Sequence, residues 1–375
     1  MVFASRESPV KHIRNFGQDV WLDNIDHGLI HGGGLEKLMQ VDGVSGVTSN
    51  PTIFEKAFAS GEYDDRVRQM QSQGIDPHEI YRQITADEIR SAADMFMELF
   101  RSSRGSRGLV SLEVSPHLAY DTAGTIAEAR EIWRLVDRPN LLVKIPGTLE
   151  GIPAIRQCVS EGINVNVTLL FGLPRYLRVA QAHIEGLKDR ARRGEDLHNV
   201  FSVASFFISR IDTLVDPMLE RTSLGGPGSD QAKSLHGMVG TFCAKAAYEM
   251  YQEIFASEKF HELAKHGAHP QRLVWASTGT KNPTYSDIKY VEPLIGPDTI
   301  NTMPLATLAA YRDHGQPESR LEQNPDRPKR LLSHLEDMGI RLDEISDRLE
   351  KEGVEKFTAP YDASIDRLTR LAKAA

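Results

Sequence analysis

A lysine within an apolar segment is the residue whose type and position most clearly suggest chemistry. Residues 140–148 read NLLVKIPGT, so Lys144 follows three aliphatic residues and precedes an isoleucine and a Pro–Gly pair. Because burying an unpaired ammonium group is very costly, two interpretations are open. Lys144 pairs with an interior carboxylate or extends from an edge strand to water. Alternatively, desolvation lowers its pKa and leaves neutral amine to attack a carbonyl group.

The second interpretation requires partners for the lysine. Attack on a carbonyl gives an imine, whose protonated nitrogen is an electron sink for breaking or making an adjacent C–C bond. A general base must accept a proton from a substrate hydroxyl, and a positioned water must serve imine formation and hydrolysis. Asp23 and Glu113 are the available carboxylates, although each could instead form a salt bridge with an arginine or lysine. Asn24 and Asp26 adjoin Asp23, and residue propensity does not choose among the three.

Two further segments carry groups that bind anions. Arg210 can hold a phosphate through two parallel N–H contacts, or it can begin a surface helix and pair with Asp212. Ser277 opens the segment STGTKNP, whose small residues let backbone N–H groups approach an anion, with Lys281 as a point charge. Both segments are compatible with a local site for a small anion.

Short apolar segments alternate with amphipathic helical segments along most of the chain. Helical periodicity covers 125–136 and 174–187, and Thr85 with Glu88 fits a capping box that opens a further helix. The alternation predicts an α/β fold with a parallel sheet. Eight such units favour a closed (β/α)8 TIM barrel, with a doubly wound open sheet as the alternative. The predicted strands are 18–23, 46–50, 109–115, 141–145, 164–171, 201–207, 272–278 and 299–303.

A barrel would bring the candidate residues together. Catalytic side chains of barrels lie at the carboxyl ends of the strands, and phosphate sites are common in the loops after the last strands. Arg210 comes just after the sixth predicted strand. The polar residues at or near the predicted strand ends are Asp23, Asn50, Glu113, Lys144, Asn166, Thr168, Ser205 and Ser277.

The rest of the chain is interpreted as support for the barrel. The connections 51–108 and 208–271 must each carry several helices, the second including a Gly-rich surface loop at 223–231. A polar, Pro-bearing linker at 316–328 precedes a charged, amphipathic helical tail. We expect one domain over residues 1–375, with a barrel core at about 15–315 and helices of 329–375 packed on it.

Composition excludes several classes of protein. The 375 residues include 44 Lys and Arg against 52 Asp and Glu, a net charge of −8 that argues against a general nucleic-acid or membrane-surface role. Hydrophobic content of 40% and charged content of 26% are typical of a soluble globular protein. The two cysteines form neither a disulfide framework nor a zinc motif, and the N-terminus lacks a signal-peptide pattern. We therefore expect a cytoplasmic protein without a membrane span.

Several familiar motifs are incomplete. HGGG at 31–34 has no accompanying G-x-S-x-G, and STGTKN lacks the spacing of a phosphate-binding P-loop. His27 and His31 are four residues apart, but the sequence shows neither H-E-x-x-H nor a third ligand. We interpret them as surface or capping histidines and predict no metal.

Six segments, taken in order, resemble the transaldolases in their longer bacterial form. The match runs in register over about residues 15–315, and the segments read GVTSNPTIFEKA, VSLEVSPHLAYDT, LLVKIPGT, NVNVTLLF, SFFISRID and WASTGTKNP. The resemblance implies a class I aldolase-type barrel of the pentose phosphate pathway that needs no cofactor. It implies transfer of a dihydroxyacetone unit from sedoheptulose 7-phosphate or fructose 6-phosphate to glyceraldehyde 3-phosphate or erythrose 4-phosphate. Phosphorylated sugars would then be its partners, with the chain a monomer or a homodimer.

The resemblance also implies roles for individual residues. Lys144 would form the Schiff base, and Asp23 would handle the proton of the C4 hydroxyl. Glu113 and Thr168 would hold the catalytic water. The residues implied to contact substrate hydroxyls, the bound three-carbon unit or the phosphate are Asn50, Asn166, Ser205, Phe207, Arg210 and Ser277.

The chain departs from the shorter transaldolases at the phosphate site. Those proteins carry an arginine two positions after the serine that matches Ser277, where this chain has Gly279. We hypothesise that Lys281, or the backbone amides of 278–281, replace that arginine.

Two other functions remain as alternatives. A related fructose 6-phosphate aldolase would release free dihydroxyacetone. That branch has glutamine where this chain has Glu113 and tyrosine where it has Phe207. A non-catalytic phosphosugar sensor could keep Arg210 and Ser277 but would have no need of the amine and its acid/base partners.

Overall fold

Eight strands form a closed barrel in the part of the chain that the structure describes, residues 7–225 and 228–373 of a computed structural model. The strands are β1 Gln18–Asp23, β2 Gly46–Thr48, β3 Leu109–Glu113, β4 Leu141–Pro146, β5 Val165–Leu170, β6 Ser202–Phe207, β7 Arg272–Ala276 and β8 Thr299–Met303. Each strand pairs in parallel with the next in chain order, and β8 closes the ring on β1. The predicted (β/α)8 barrel is confirmed, and the open sheet is excluded.

All eight predicted strands are present, but four of them end earlier than the sequence suggested. Strands β4, β5 and β6 are buried along their whole length, including the polar side chains of Lys144, Asn166, Thr168 and Ser205. Polar residues just beyond the strand ends leave the sheet to form turns. Asn50 caps the next helix, accepting a hydrogen bond from the backbone N–H of Ile53, and Ser277 has a left-handed φ of 55°.

Helices fill the connections between the strands. They are α1 Pro9–His12, α2 His27–His31, α3 Gly34–Asp42, α4 Pro51–Ala59, α5 Asp64–Ser72, α6 Pro77–Ser102, α7 Thr122–Val136, α8 Gly151–Ser160, α9 Leu173–Arg192, α10 Ser209–Ser223, α11 Ser229–Leu235, α12 Val239–Phe255, α13 Glu258–Ala264, α14 Leu305–His314, α15 Asp326–Asp337 and α16 Leu342–Lys373. Short 3₁₀ helices occur at Ile13–Phe16, Pro116–Leu118 and Glu292–Leu294. The two long connections carry several helices each, as predicted. Part of the predicted loop at 223–231, residues 226–227, lies outside the described residues.

The predicted capping box at Thr85 and Glu88 is wrong. Helix α6 begins eight residues earlier at Pro77, where the Asp76 carboxylate accepts hydrogen bonds from the backbone N–H groups of the first turn. An aspartate N-cap followed by proline at the first helical position strongly favours the start of a helix. The helix therefore begins at Pro77, and the capping-box pattern at Thr85 and Glu88 lies inside it. The Thr85 hydroxyl instead donates within the helix to the carbonyl of Tyr81.

The C-terminal segment consists of two helices, and the second packs against the barrel. Gly339, with a φ of 73°, ends α15, so the amphipathic stretch is interrupted before α16 begins. Phe357 and Leu368 of α16 are buried in the same hydrophobic cluster as residues of the barrel strands. Arg175 of α9 reaches α16 through an ion pair of 2.6 Å with Glu350. No helix among the described residues is long and apolar enough to cross a lipid bilayer.

Docking of α16 is expected to depend on its buried side chains. Leu368→Ala should lower the free energy of unfolding by about 2–5 kcal/mol, because a fully buried leucine leaves a cavity when truncated. Urea unfolding followed by circular dichroism measures the change. The matched control, Arg370→Ala, removes an exposed side chain two residues away and should change stability by less than about 0.5 kcal/mol. Equal stability of the Leu368 variant and the wild type would contradict this packing.

Candidate active site

A cavity of about 350 Å³ opens at the carboxyl ends of the strands. The predicted site residues that line it are Asp23, Asn50, Lys144, Ser205, Phe207, Arg210, Ser277 and Lys281. Because the strands are parallel, their carboxyl ends share one rim, and side chains from across the sequence meet there. The three remaining predicted residues, Glu113, Asn166 and Thr168, are not among the residues that line this cavity. In the strand register Glu113 and Asn166 flank Lys144, and Thr168 pairs with Pro146.

Lys144 is both buried and accessible from the cavity. It is 4% exposed, and its Nζ donates a hydrogen bond of 3.0 Å to the carbonyl oxygen of Ser49. The strand register sets Glu113 of β3 directly beside Lys144, and the carboxylate Oε2 lies 3.2 Å from Nζ. The aromatic ring of Phe357 lies 5.6 Å from the same nitrogen. Lys144 is thus paired with an interior carboxylate, as the first of the two interpretations of its sequence expected. It also lines a cavity that a ligand can enter.

Two carboxylates flank the amine, and both are desolvated. Burial raises the pKa of the Asp23 carboxyl, while the charge of Lys144 and a hydrogen bond of 2.9 Å from the Thr48 hydroxyl oppose that rise. Burial likewise raises the pKa of Glu113, with Lys144 again opposing it. Asp26, which the sequence left as an alternative to Asp23, caps α2 by accepting from the backbone N–H of Leu29. Asn24 lines the cavity beside Asp23.

Further polar groups lie on the strands near Lys144. The register sets Asn166 of β5 beside Lys144, on the side opposite Glu113. Asn166 accepts a hydrogen bond of 2.8 Å from the Ser205 hydroxyl and donates one of 3.0 Å to Ser111. The Oγ1 of Thr168 and both carboxylate oxygens of Glu113 are buried without an aligned hydrogen-bond partner among the described residues. Such groups call for a partner, and a water molecule is the usual one.

A small space behind Glu113 is large enough for that water. It measures about 20 Å³, which is sufficient for one water molecule. Its lining includes Asn50, Tyr81, Glu113 and Tyr361. The Thr168 hydroxyl is not part of this lining.

Two further cations, Arg210 and Lys281, also line the cavity. Arg210 lies at the second position of α10, and its Nη1 is buried without a hydrogen-bond partner within residues 7–225 and 228–373. The predicted pairing of Arg210 with Asp212 does not occur, because Asp212 accepts from the Gly240 N–H at 2.7 Å and the Tyr290 hydroxyl at 2.9 Å. Burial lowers the pKa of Lys281, and the nearby Arg210 lowers it further. Two cations are therefore held close together, an arrangement that favours an anion between them.

The turn after β7 also contributes to the cavity. Ser277 adopts φ 55°, a left-handed conformation that is strained for a residue with a side chain. Its hydroxyl oxygen lies 3.0 Å from that of Ser209 at the start of α10. The strain is consistent with a turn shaped by a ligand site rather than by local sequence preference.

Several residues of the cavity were missed by sequence reasoning. Phe357 arrives from α16, and its position depends on how that helix docks, which no local pattern specifies. Lys56 lies within the recognisable segment GVTSNPTIFEKA, but a lysine on a helix is ordinarily a solvated surface residue. Thr48 and Thr302 hydrogen-bond to each other at 2.7 Å, and both line the cavity.

The prediction that His27 and His31 lack a third candidate ligand is wrong. Glu88 of α6, 61 residues from His27 in sequence, places its carboxylate 3.0 Å from the Nδ1 of His27. The sequence could not show this, because the contact depends on how α2 packs against α6.

Comparison with known proteins identifies the family to which the chain belongs. A model of the Transaldolase/Fructose-6-phosphate aldolase family matches residues 20–368. The chain is similar to a transaldolase of Thiobacillus denitrificans, with 47% identity over 96% of this chain and 99% of that protein. A transaldolase of Thermobifida fusca is 44% identical over 97% of this chain and 98% of its own length. A transaldolase of Trichodesmium erythraeum is 42% identical over 96% of this chain and 97% of its own length. The chain therefore belongs to the transaldolase/fructose-6-phosphate aldolase family.

Proposed function

We propose that this chain is a transaldolase that carries a dihydroxyacetone unit on Lys144. The donor is sedoheptulose 7-phosphate or fructose 6-phosphate, and the acceptor is glyceraldehyde 3-phosphate or erythrose 4-phosphate. The observation that carries the proposal is an amine held against a buried carboxylate in an open cavity that Arg210 and Lys281 also line. An amine in that position can attack the carbonyl of a bound ketose.

The first half of the reaction makes and cleaves the imine. Lys144 gives up its proton to Glu113 or to water beside it, and the neutral Nζ adds to C2 of the ketose. Loss of water from the carbinolamine leaves a protonated imine. Asp23 then accepts the proton of the C4 hydroxyl while the C3–C4 bond breaks, the electron pair moving into the imine. The aldose phosphate leaves, and a three-carbon enamine stays bound to Lys144.

The second half reverses these steps with a new acceptor. The enamine carbon attacks the acceptor aldehyde, Asp23 returns its proton to the new hydroxyl, and water hydrolyses the imine. The Glu113 oxygens lack an aligned hydrogen bond, and together with the adjoining one-water space this supports a role for Glu113 in holding that water. For Thr168 the support is its unpaired, buried hydroxyl on the strand next to β4.

Substrate recognition is proposed to use two sets of residues. Asn50, Asn166 and Ser205 would bind sugar hydroxyls: Asn50 and Ser205 line the cavity, and Asn166 adjoins it through its hydrogen bond with Ser205. Arg210 and Ser277 are proposed to bind the phosphate, and Lys281 supplies the second positive charge in place of the arginine found in shorter transaldolases. The proximity of Lys281 to Arg210 supports that replacement.

Transfer is favoured over release of free dihydroxyacetone. Release requires that the enamine be protonated and hydrolysed before an acceptor arrives. Phe207 and Phe357 line the cavity around the amine with apolar rings, and Phe171 packs on Phe207 with ring centroids 5.2 Å apart. Unlike the phenol hydroxyl of a tyrosine, the rings of Phe207 and Phe357 have no proton to donate to the enamine. A sensor without catalysis is disfavoured because the amine and both carboxylates are assembled together.

Three broader features of the protein are proposed with this function. The chain forms one domain, with the barrel core at about 15–315 and the helices of 329–375 packed on it; burial of Phe357 and Leu368 in the barrel's hydrophobic cluster supports this. It acts in the cytoplasm, where its two buried free thiols would remain reduced. It acts without a cofactor as a monomer or a homodimer, because all proposed catalytic groups come from one chain.

The covalent step predicts an adduct on one lysine. Incubation with fructose 6-phosphate followed by borohydride reduction should leave a reduced three-carbon adduct on Lys144, located by peptide mass spectrometry. Lys144→Met should form no adduct, because methionine cannot form an imine. Its kcat should be at least about 1,000-fold lower than that of the wild type. Lys56→Met, which removes another cavity lysine, should retain the adduct. An adduct on a different lysine would reject the assignment.

The phosphate site predicts a selective loss of donor affinity. Lys281→Ala should raise KM for fructose 6-phosphate by about fivefold to tenfold, because one charge-assisted contact to the phosphate is lost. Catalysis with unphosphorylated fructose should be unchanged, since that donor makes no such contact. Steady-state kinetics with the two donors separate these effects. An unchanged KM for the phosphorylated donor would show that Lys281 does not bind phosphate.

The proton-transfer role of Asp23 predicts a shift in pH dependence. The Thr48 hydroxyl stabilises ionised Asp23, so Thr48→Val should raise the carboxyl pKa further. Asp23 acts as a base only when ionised, so the acidic limb of kcat/KM should move to higher pH. Thr302→Val, which removes a hydroxyl that contacts Thr48 instead of Asp23, should shift the limb less. Superimposable profiles for Thr48→Val and the wild type would contradict the role.

A further inference from the structure

A cluster of two histidines and a glutamate lies outside the catalytic cavity, where α2 packs against α6. His27 and His31 lie one turn apart on α2, with ring centroids 4.2 Å apart. Glu88 of α6 places Oε1 3.0 Å from the Nδ1 of His27 and Oε2 3.7 Å from the Nε2 of His31. One ligand atom from each of the three residues lies within 4.8 Å of the others. The proposed reaction uses none of them.

The glutamate is the unusual member of this cluster. Glu88 is 3% exposed, and its Oε2 has no hydrogen-bond partner in the described part of the chain. A buried carboxylate needs a compensating partner. The ring of His27 contacts Oε1 at 3.0 Å, whereas Oε2 lies 3.7 Å from the ring of His31, beyond hydrogen-bond distance. A divalent cation would satisfy both carboxylate oxygens and the imidazole nitrogens together.

The surrounding charge also favours a cation. The carboxylates of Asp26 and Glu62 both lie beside Gly28, in the turn of α2 that carries His27. Both carboxylates add negative charge to the turn that carries His27. The side chains of His27 and His31 are 47% and 46% exposed, so an ion has direct access from solvent. Their exposure also lets the rings rotate to complete a coordination sphere.

We propose that His27, His31 and Glu88 form a binding site for a transition-metal ion of the zinc type. Two imidazoles and one carboxylate, with a solvent-facing position left for water, are a donor set that Zn²⁺ accepts. Histidines four residues apart on a helix present their nitrogens to the same ion. Mg²⁺ and Ca²⁺ prefer sites made of oxygen ligands and bind this set weakly.

A bound ion would restrain a segment that adjoins the catalytic cavity. Helix α2 begins four residues after Asp23, and the Asn24 side chain donates a hydrogen bond of 3.1 Å to Asp26, the cap of α2. An ion shared between α2 and α6 ties this connection to the long helix behind it. The site is thus a structural clamp on the segment that follows β1, and the ion takes no part in the carbon–carbon chemistry.

Titration of the metal-free full-length protein tests the site. Isothermal calorimetry with Zn²⁺, and visible absorption with Co²⁺, should show one equivalent bound to the wild type. Amide hydrogen exchange across residues 24–34 should slow when Zn²⁺ is added. His27→Ala/His31→Ala should lose this equivalent and the protection. Glu88→Gln should weaken Zn²⁺ binding by more than about 100-fold. Loss of a residue that only hydrogen-bonds to a metal ligand already lowers metal affinity by about 10–100-fold, and Glu88 is proposed to be a ligand itself.

A matched control separates this site from nonspecific binding by surface histidines. His12 and His314 are 40% and 46% exposed and each contacts a carboxylate, so His12→Ala/His314→Ala removes similar groups elsewhere. That variant should bind one equivalent with wild-type affinity. The proposal is overturned if the wild type binds no Zn²⁺, if His27→Ala/His31→Ala binds as the wild type does, or if the control loses binding equally. Because both targeted histidines are exposed, the double variant is expected to fold even if Glu88→Gln does not.

Discussion

The contact between Lys144 and Glu113 is the constraint on which the rest of the site depends. Taking both charges out of water costs several kcal/mol per ion, and only close contact with further polar partners offsets that cost. The barrel supplies these partners through its register, which sets Glu113 on one side of Lys144 and Asn166 on the other. The Ser49 carbonyl accepts a hydrogen bond from the amine. A pair held in this way has a fixed position, as covalent chemistry requires.

Closure of the barrel makes this pair both shielded and reachable. Parallel strands direct all their carboxyl ends to one rim, so the floor of the cavity is buried while its mouth is open. Helix α16 then adds Phe357 beside the amine, although it lies more than two hundred residues away in sequence. The cavity therefore combines a carboxylate-flanked amine with the cationic side chains of Arg210 and Lys281. A phosphorylated ketose has a carbonyl group for the amine and a phosphate for the cations.

The strands and most of the candidate residues could be predicted because their patterns are local. An apolar segment that ends in a polar residue at the carboxyl end of a barrel strand makes Asp23, Glu113 and Lys144 candidates without knowledge of any contact. The choice of Asp23 over Asn24 and Asp26 came from the family resemblance. Contacts between distant elements were not accessible in this way. Phe357 depends on the docking of a terminal helix, and Glu88 meets His27 only because α2 packs on α6. The capping-box error at Thr85 arose because an earlier Asp–Pro start outcompetes a pattern within the same helix.

The central claim is that Lys144 is the covalent centre and that the cations of the cavity hold the phosphate. A crystal structure of the protein reacted with fructose 6-phosphate and borohydride tests both parts, since reduction can trap the imine before or after cleavage. We expect continuous density from Nζ of Lys144 to C2 of the sugar, with Glu113 beside the new secondary amine. Where the full hexose is trapped, its phosphate should lie against Arg210. A carbon–nitrogen bond to any other lysine, or a phosphate turned away from Arg210, would contradict the account.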